Sequence, residues 1–463
     1  MKNKNEGKDA MYYLEKAPVS KAISHMAIPM IMGMIINMIY NITDAYYIGQ
    51  LDNTSMMASL TLALPFVTVL MAIGEIFGTG GSTYIARLLG EKDIDGVKKA
   101  SSVNFYLSLI SGLIFIIISV PFLSSILTLL GATGEALNHT RDYILIFTIG
   151  SPFIIANFTL SQTVRGEGAA TESMIGMILS VVVNMLLDPF FIFVLQMDVM
   201  GAAIATVIGN ICAVIYYVYY LKTKSKVQSV DIKDFKPNKE IILNIFKIGI
   251  SAFLRAGFLI VSSLMFNNYA VMYRDHVVAA FCVANRICQI SDFISMGLFM
   301  GVVPLIAFAY AANNTERLSK VIRITVLYLV CIILGIAVIL FIFRIQILEL
   351  FSKDTAVISV GVTILTALLV STLFAAISGL FTSMFQAFGK GIQANIMSAA
   401  RGVALIPVII IGNKLFQIDG VIWSMTVSEI AACFIGLCLW MMSKKKIMET
   451  ALEDREIFEP EMM

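Results

Sequence analysis

Long apolar stretches alternate with short polar connections along the whole chain, and their period is that of helices crossing a membrane. Twelve such runs lie near 23–48, 56–86, 102–123, 141–164, 174–195, 200–221, 241–272, 277–312, 324–344, 357–387, 393–413 and 419–442. A helix needs about 20 residues to span roughly 30 Å of hydrocarbon, so each run predicts one crossing. The longer runs predict tilt or extension beyond the bilayer. The expected fold class is an all-α polytopic membrane protein with twelve transmembrane helices. Pro29, Pro65, Pro152, Pro189, Pro304 and Pro407 fall inside the runs. Each removes a backbone donor and predicts a kink, tolerated in a membrane where neighbours re-satisfy the freed carbonyl.

The connections divide into two sets. One holds nearly all the cations, from Lys2–Lys21 through Lys92–Lys99, Arg165, Lys222–Lys239, Arg317–Arg323 and Lys390 to Lys444–Arg455; the other holds only Arg141, Arg274, Arg344, Lys353 and Lys414. The positive-inside rule then places both termini in the cytoplasm of a multi-pass cell (plasma) membrane protein. The longest polar interval suggests an organisation into an N-terminal tail (1–22), a first six-helix lobe (23–221), a cytoplasmic linker (222–240), a second six-helix lobe (241–442) and a C-terminal tail (443–463). The lobes resemble one another. Gln162-Thr-Val-Arg-Gly-Glu-Gly168 aligns with Phe385-Gln-Ala-Phe-Gly-Lys-Gly391, a shift of 223 residues, and the connection at Gly90 aligns with that at Ala312, a shift of 222. Six spans per repeat preserve orientation, so the lobes are expected to be related by a pseudo-two-fold axis along the membrane normal, with a pathway between them.

Composition narrows the function. Only 14% of the 463 residues are charged and 58% are hydrophobic, against about 25% charged in soluble domains. A net charge of +2 offers nothing to a nucleic acid. All six cysteines lie inside apolar runs and the three histidines are scattered, which argues against disulfides and zinc or copper chemistry. The polar N-terminal stretch has no signal-peptide core, and no phosphate-binding P-loop occurs. These features point away from an enzyme and from any cofactor.

Against this background a few polar positions stand out. Asp44 closes the first run, and a carboxylate within a span costs about 2.5–3.5 kcal/mol on insertion scales. Tyr40 precedes it by one turn, and Asn37 and Asn41 repeat that spacing. In the fifth run Asn184, Asp188 and Pro189 follow the same logic, and Pro189 cannot donate to the Met185 carbonyl. Thr206 adds a hydroxyl in the sixth. At 1.5 Å per residue, Asp44, Asp188 and Thr206 come to roughly 6, 12 and 9 Å inside the outer face, so the three can meet. Two carboxylates there repel, and with hydroxyl and carbonyl oxygens they suit a proton or a hard cation. The local alternative is that each makes a helix-packing hydrogen bond. In the second lobe Phe266 and Ile411 stand where the two acids would recur. That lobe has charges of its own, among them Arg255, Arg286, Asp292, Arg401 and Glu429. Arg255 and Asp292, mid-span in adjacent helices, form either a buried structural pair or part of the pathway lining. Glu75 either faces substrate or hydrogen-bonds to a neighbouring helix.

Together these residues make the chain resemble the multidrug and toxic compound extrusion (MATE) transporters, in particular the DinF-like/MepA-like bacterial and archaeal branch. The resemblance covers all twelve spans; its specific parts are Tyr40 with Asp44, Asn184–Asp188–Pro189, and Thr206. It implies that Asp44, Asn184, Asp188 and Thr206 form an N-lobe site for Na+ or H+, with Tyr40 beside it and Asn157 as a cavity residue. The NorM-like branch uses an acid in the tenth span, and the run 357–387 has none. The resemblance further implies a secondary active multidrug exporter working by alternating access as a monomer in membrane lipid, with amphipathic, often cationic substrates. Two alternatives are a flippase for lipid-linked oligosaccharide or polysaccharide, which would want fourteen spans and a basic cavity, and a membrane-embedded transferase. The latter's best acidic pair, Asp93 and Asp95, sits among lysines as a solvated turn.

Overall fold

The computed structural model describes residues 10–50, 53–273 and 275–458, and within them the side chains of Asn41 and Asp44 lie outside the described set. Among the described residues the chain is built of helices. A short α1 (Ala10–Glu15) precedes the long α2 (Val19–Gly49), α3 (Thr54–Gly90) and α4 (Ile94–Ser119). A short α5 (Leu123–Leu129) leads to α6 (Glu135–Gly166), α7 (Ala170–Pro189) and α8 (Asp198–Thr223). The C-lobe repeats the order: α9 (Lys239–Val271), α10 (Asp275–Ala311), α11 (Thr315–Ile342), a short α12 (Arg344–Phe351), α13 (Thr355–Ala387) and α14 (Gly391–Phe458). Eleven of these are long and apolar enough to cross a membrane. α14 supplies two of the twelve crossings. Its backbone breaks at Gln417 (φ 52°), and the chain doubles back so that a Cβ on Gly420 would lie 1.9 Å from the Gly412 carbonyl oxygen. Only hydrogen fits on either side of that reversal.

The repeat is cleaner in backbone conformation than in residue identity. Lys92 and Asn313, Gly168 and Gly389, and Gln196 and Gln417 are pairs of left-handed residues, each pair 221 residues apart. The helix N-caps obey the same offset: Asp93 accepts from Gly96 N–H at 2.8 Å, and Asn314 accepts from Arg317 N–H at 2.9 Å. The shifts of 222 and 223 expected from residue matching are therefore too long by one and two positions. On the corrected register Met265 stands opposite Asp44 and Ile409 opposite Asp188, and both are apolar. The helices also start earlier than their apolar runs. α4 begins at Ile94 and α11 at Thr315, because capped polar first turns remain helical after hydropathy has faded.

The lobes meet along a seam at the lysine-rich end. A Cβ on Gly80 of α3 would lie 2.1 Å from the Ile245 carbonyl oxygen of α9, and one on Gly249 would lie 2.2 Å from that of Ile76. α10 crosses α2 as closely, with Gly297 against Ile31 and Gly301 against Ala27. Beyond Gly297, toward the opposite end, α10 turns an exposed polar stripe outward: Cys282, Asn285, Arg286, Gln289 and Asp292. The helix thus passes from a closed seam to an exposed polar face away from the lysines.

α1 straddles this seam. Leu14 is fully buried, the Tyr13 ring stacks on His25 of α2 at 3.5 Å, and Ala10 lies against Gly168 of the N-lobe. From the C-lobe, the Arg317 guanidinium donates to the Tyr13 and Ala17 carbonyls, both at 2.8 Å. Arg317→Ala is expected to free α1 and raise the rate of tryptic cleavage after the exposed Lys16 by about tenfold, with the spans intact. Unchanged cleavage would show that the N-lobe contacts hold α1 alone.

Candidate functional site

The N-lobe site depends on how closely α7 and α8 approach. Gly209 of α8 packs where a Cβ would lie 2.5 Å from the Ser180 carbonyl oxygen, and Gly176 of α7 makes room for the Tyr217 ring. With the backbones so near, the Asn184 amide reaches across and donates to Thr206 Oγ1 at 3.0 Å and to Asp188 Oδ1 at 3.4 Å. Tyr40 Oη of α2 lies 3.4 Å from the same hydroxyl. Thr206 Oγ1 itself donates to the Ala202 carbonyl at 3.0 Å, which leaves its lone pairs for Tyr40 and Asn184. Pro189 ends α7, and the chain continues as a π-helical turn over Phe190–Val194. The missing proline N–H and the widened turn fall directly after Asp188, as expected where a span loses its regular ladder.

The network extends inward. Asn210, one turn after Thr206, donates to the Thr206 carbonyl at 2.7 Å and accepts from Asn157 Nδ2 at 2.7 Å. Asn157 of α6, a cavity residue in the family resemblance, thus joins the cluster. Asn210 itself escaped the sequence reading; its only signal is the four-residue spacing from Thr206. Asp188 is fully buried and Asn184 nearly so. The amide oxygens of Asn184 and Asn157 are buried with no hydrogen-bond donor among the described residues. The cluster therefore has acceptors in excess of donors. The helix carrying Asn37, Tyr40, Asn41 and Asp44 runs past it, and the Asp44 and Asn41 side chains, named from the sequence, lie outside the described residues.

Glu75 sits apart from this cluster, toward the lysine-rich end. Thr79 Oγ1 is 3.1 Å from its carboxylate and 3.2 Å from Gln162 Oε1, so one hydroxyl proton is shared between them. Arg165, buried nearby, exerts its charge on Glu75 and donates to the Met30 sulfur at 3.2 Å. Glu75 is thus hydrogen-bonded within α3 through Thr79, and it is Thr79 that reaches the neighbouring α6.

In the C-lobe the expected Arg255–Asp292 pair is not formed. Arg255 makes no ion pair among the described residues, and the charges acting on Asp292 are Arg401 and Glu429. Helix order placed the two residues on neighbours but said nothing of how each helix is rotated. Instead Arg401 binds Glu429, with Nη2 at 2.7 Å and Nε at 2.8 Å from one oxygen, while Ser378 Oγ donates to the other at 2.9 Å.

Comparison with known proteins agrees with this arrangement. The MatE family model matches residues 29–190 and 248–411, one segment in each lobe. The multidrug export protein MepA of Staphylococcus haemolyticus is 39% identical over 429 residues, covering 93% of this chain and 95% of that protein. MepA of Staphylococcus aureus (strain MRSA252) is 38% identical over 444 residues, covering 96% and 98%. Among solved structures, the outward-facing conformation of a multidrug resistance MATE transporter of the MOP superfamily superposes with a TM-score of 0.90 at 25% identity, covering 95% of this chain and 99% of that one. A MATE structure in the bent conformation gives 0.89 at 25% identity, covering 96% and 99%. With twelve helices in two matching lobes, and relatives aligned nearly end to end, the chain belongs to the MATE family.

Proposed function

We propose that the protein is a multidrug exporter driven by an inward flux of Na+ or H+, with the lysine-rich end and both termini in the cytoplasm. The observation that carries this reading is the excess of acceptors in the N-lobe. Asp188 shares its turn with Asn184, and the amide oxygens of Asn184 and Asn157 are buried without donors. Buried acceptors left in that state are costly, and a cation or a proton relieves the cost. All the groups offer oxygen, the ligand type that Na+ prefers, and a carboxylate in their midst serves equally as a proton carrier. Asp44, one turn beyond Tyr40, supplies the second carboxylate of the site in this reading.

Coupling follows from differential affinity. The ion and the drug each bias the lobes toward a different arrangement, and only a ligand that binds one arrangement better can shift the balance. Ion occupancy between α7, α8 and α2 draws three N-lobe helices together, and drug in the cleft opposes that closure. The homology to MepA proteins supports drugs as cargo. Proteoliposomes containing the purified chain, with Na+ and H+ gradients imposed separately, test the proposal. One gradient is expected to drive uptake of a fluorescent drug and the other to have no effect. Failure of both gradients would overturn ion coupling.

A further inference from the structure

Arg165, in the last turn of α6, is 2% exposed, yet its one hydrogen bond among the described residues runs from Nη1 to the Met30 sulfur of α2 at 3.2 Å. Its Nε–H is buried without an acceptor. A thioether accepts weakly, and a buried cation in such company is costly even with the C-terminal end of the α6 dipole beside it. A carboxylate able to relieve it stands nearby. Glu75 of α3 feels the Arg165 charge but makes no ion pair among the described residues, and Thr79 holds it instead. The C-lobe supplies a control. On the register of 221 residues, Gln386 stands opposite Arg165 and Met296 opposite Glu75. Gln386 is a neutral amide that donates to Ser251 Oγ at 2.9 Å. The fold closes over this position without a charge, so the two N-lobe charges serve something other than packing.

Met30 and Glu75 both lie directly behind the seam. Ala27 and Ile31, on either side of Met30 in α2, meet Gly301 and Gly297 of α10, and Ile76, next to Glu75 in α3, meets Gly249 of α9. Parting the lobes at the lysine-rich end takes α10 away from α2 and α9 away from α3. It thereby frees the two helices on which Met30 and Glu75 stand. We propose that Arg165 is a positioning residue that changes partner during transport: it rests on Met30 while the seam is closed and pairs with Glu75 when the seam opens. The pair stabilises the open arrangement, and the poorly partnered guanidinium keeps the closed one from becoming a trap. This rests on the exporter reading above and adds to it the balance between two arrangements that alternating access requires.

The test reads seam opening rather than transport. Ile245→Cys, at a buried seam position, serves as the reporter in the full-length chain lacking its native cysteines, with a membrane-impermeant maleimide applied from the lysine-rich side. Glu75→Gln, which keeps an oxygen for Thr79, is expected to slow labelling about tenfold, and Arg165→Gln likewise. Arg165→Lys keeps the charge and is expected to stay within about threefold of the parent. The double variant Glu75→Gln/Arg165→Gln is expected to label no more slowly than either single one, because each removes the same pair. Parental labelling in Glu75→Gln, or a double variant slowed by the product of the two single effects, overturns the exchange of partners while the exporter reading stands. Should Arg165→Gln fail to fold, Glu75→Gln alone decides the matter. Labelling as expected in a parent protein that takes up no drug under either gradient would overturn the exporter reading and leave the exchange in place.

Discussion

Asp188→Asn is expected to abolish ion-driven drug efflux while leaving the fold and drug binding in place. The substitution changes one oxygen to an amide without changing shape, so the α7–α8 packing around Gly209 and Gly176 is preserved. What disappears is the only carboxylate in the described cluster, and with it the charge that makes a cation or proton welcome at a fully buried point. An amide nitrogen there also adds donors to a cluster short of them. The variant should therefore bind drug without responding to the ion. Gradient-driven uptake in proteoliposomes should fall by about a hundredfold or more, and ethidium binding by less than about threefold. Efflux at the parental rate would remove Asp188 from the coupling machinery.

The second large effect is expected at the seam. Gly249→Val places a branched side chain where even a Cβ would sit 2.2 Å from a backbone oxygen of α3. Overpacking of a tight contact costs about 1–3 kcal/mol, and here the obstructing atom is main chain, which yields little. A bias of about 3 kcal/mol moves a two-state population by roughly a hundredfold, enough to deplete the seam-closed state. Transport should drop accordingly. The direct readout is Ile245→Cys, a buried position in the seam, in a background lacking the native cysteines. A membrane-impermeant maleimide applied from the lysine-rich side should label it rapidly in the Gly249→Val variant and slowly in the parent. Slow labelling in both, with normal efflux, would show that the lobes close by another route.

Much of the architecture was legible in the chain because membranes impose a harsh code. Every crossing must be long and apolar, so the twelve runs, the two lobes and the unequal connections could be read directly. The Asn184–Asp188–Thr206 cluster was legible for the same reason: polar groups in a span are costly, and those at matching depth seek each other. Asn210 stayed hidden because a single asparagine between Gly209 and Ile211 in an apolar run looked like any tolerated polar residue. Its importance lies in a contact to Asn157 across α6 and α8. The repeat was found but misregistered, since residue matching rewards shared glycines. The true equivalences, such as Lys92 with Asn313 and Gln196 with Gln417, share a left-handed backbone rather than a side chain. Arg255 and Asp292 failed as a pair because helix order does not specify rotation about the helix axis. α1 was missed altogether, being too short to register as an element.

That small helix has a consequence of its own. Arg317 grips it through the carbonyl oxygens of Tyr13 and Ala17, and carbonyls are common to every residue. A clasp that holds main chain is nearly blind to what side chains the held segment carries. Substitutions can therefore accumulate along α1 without releasing it, provided the turn keeps its shape. A kink-forming residue such as proline, introduced at Leu14, would do what many exchanges at Tyr13 could not. The catch is written in geometry, and only a change of backbone path can undo it.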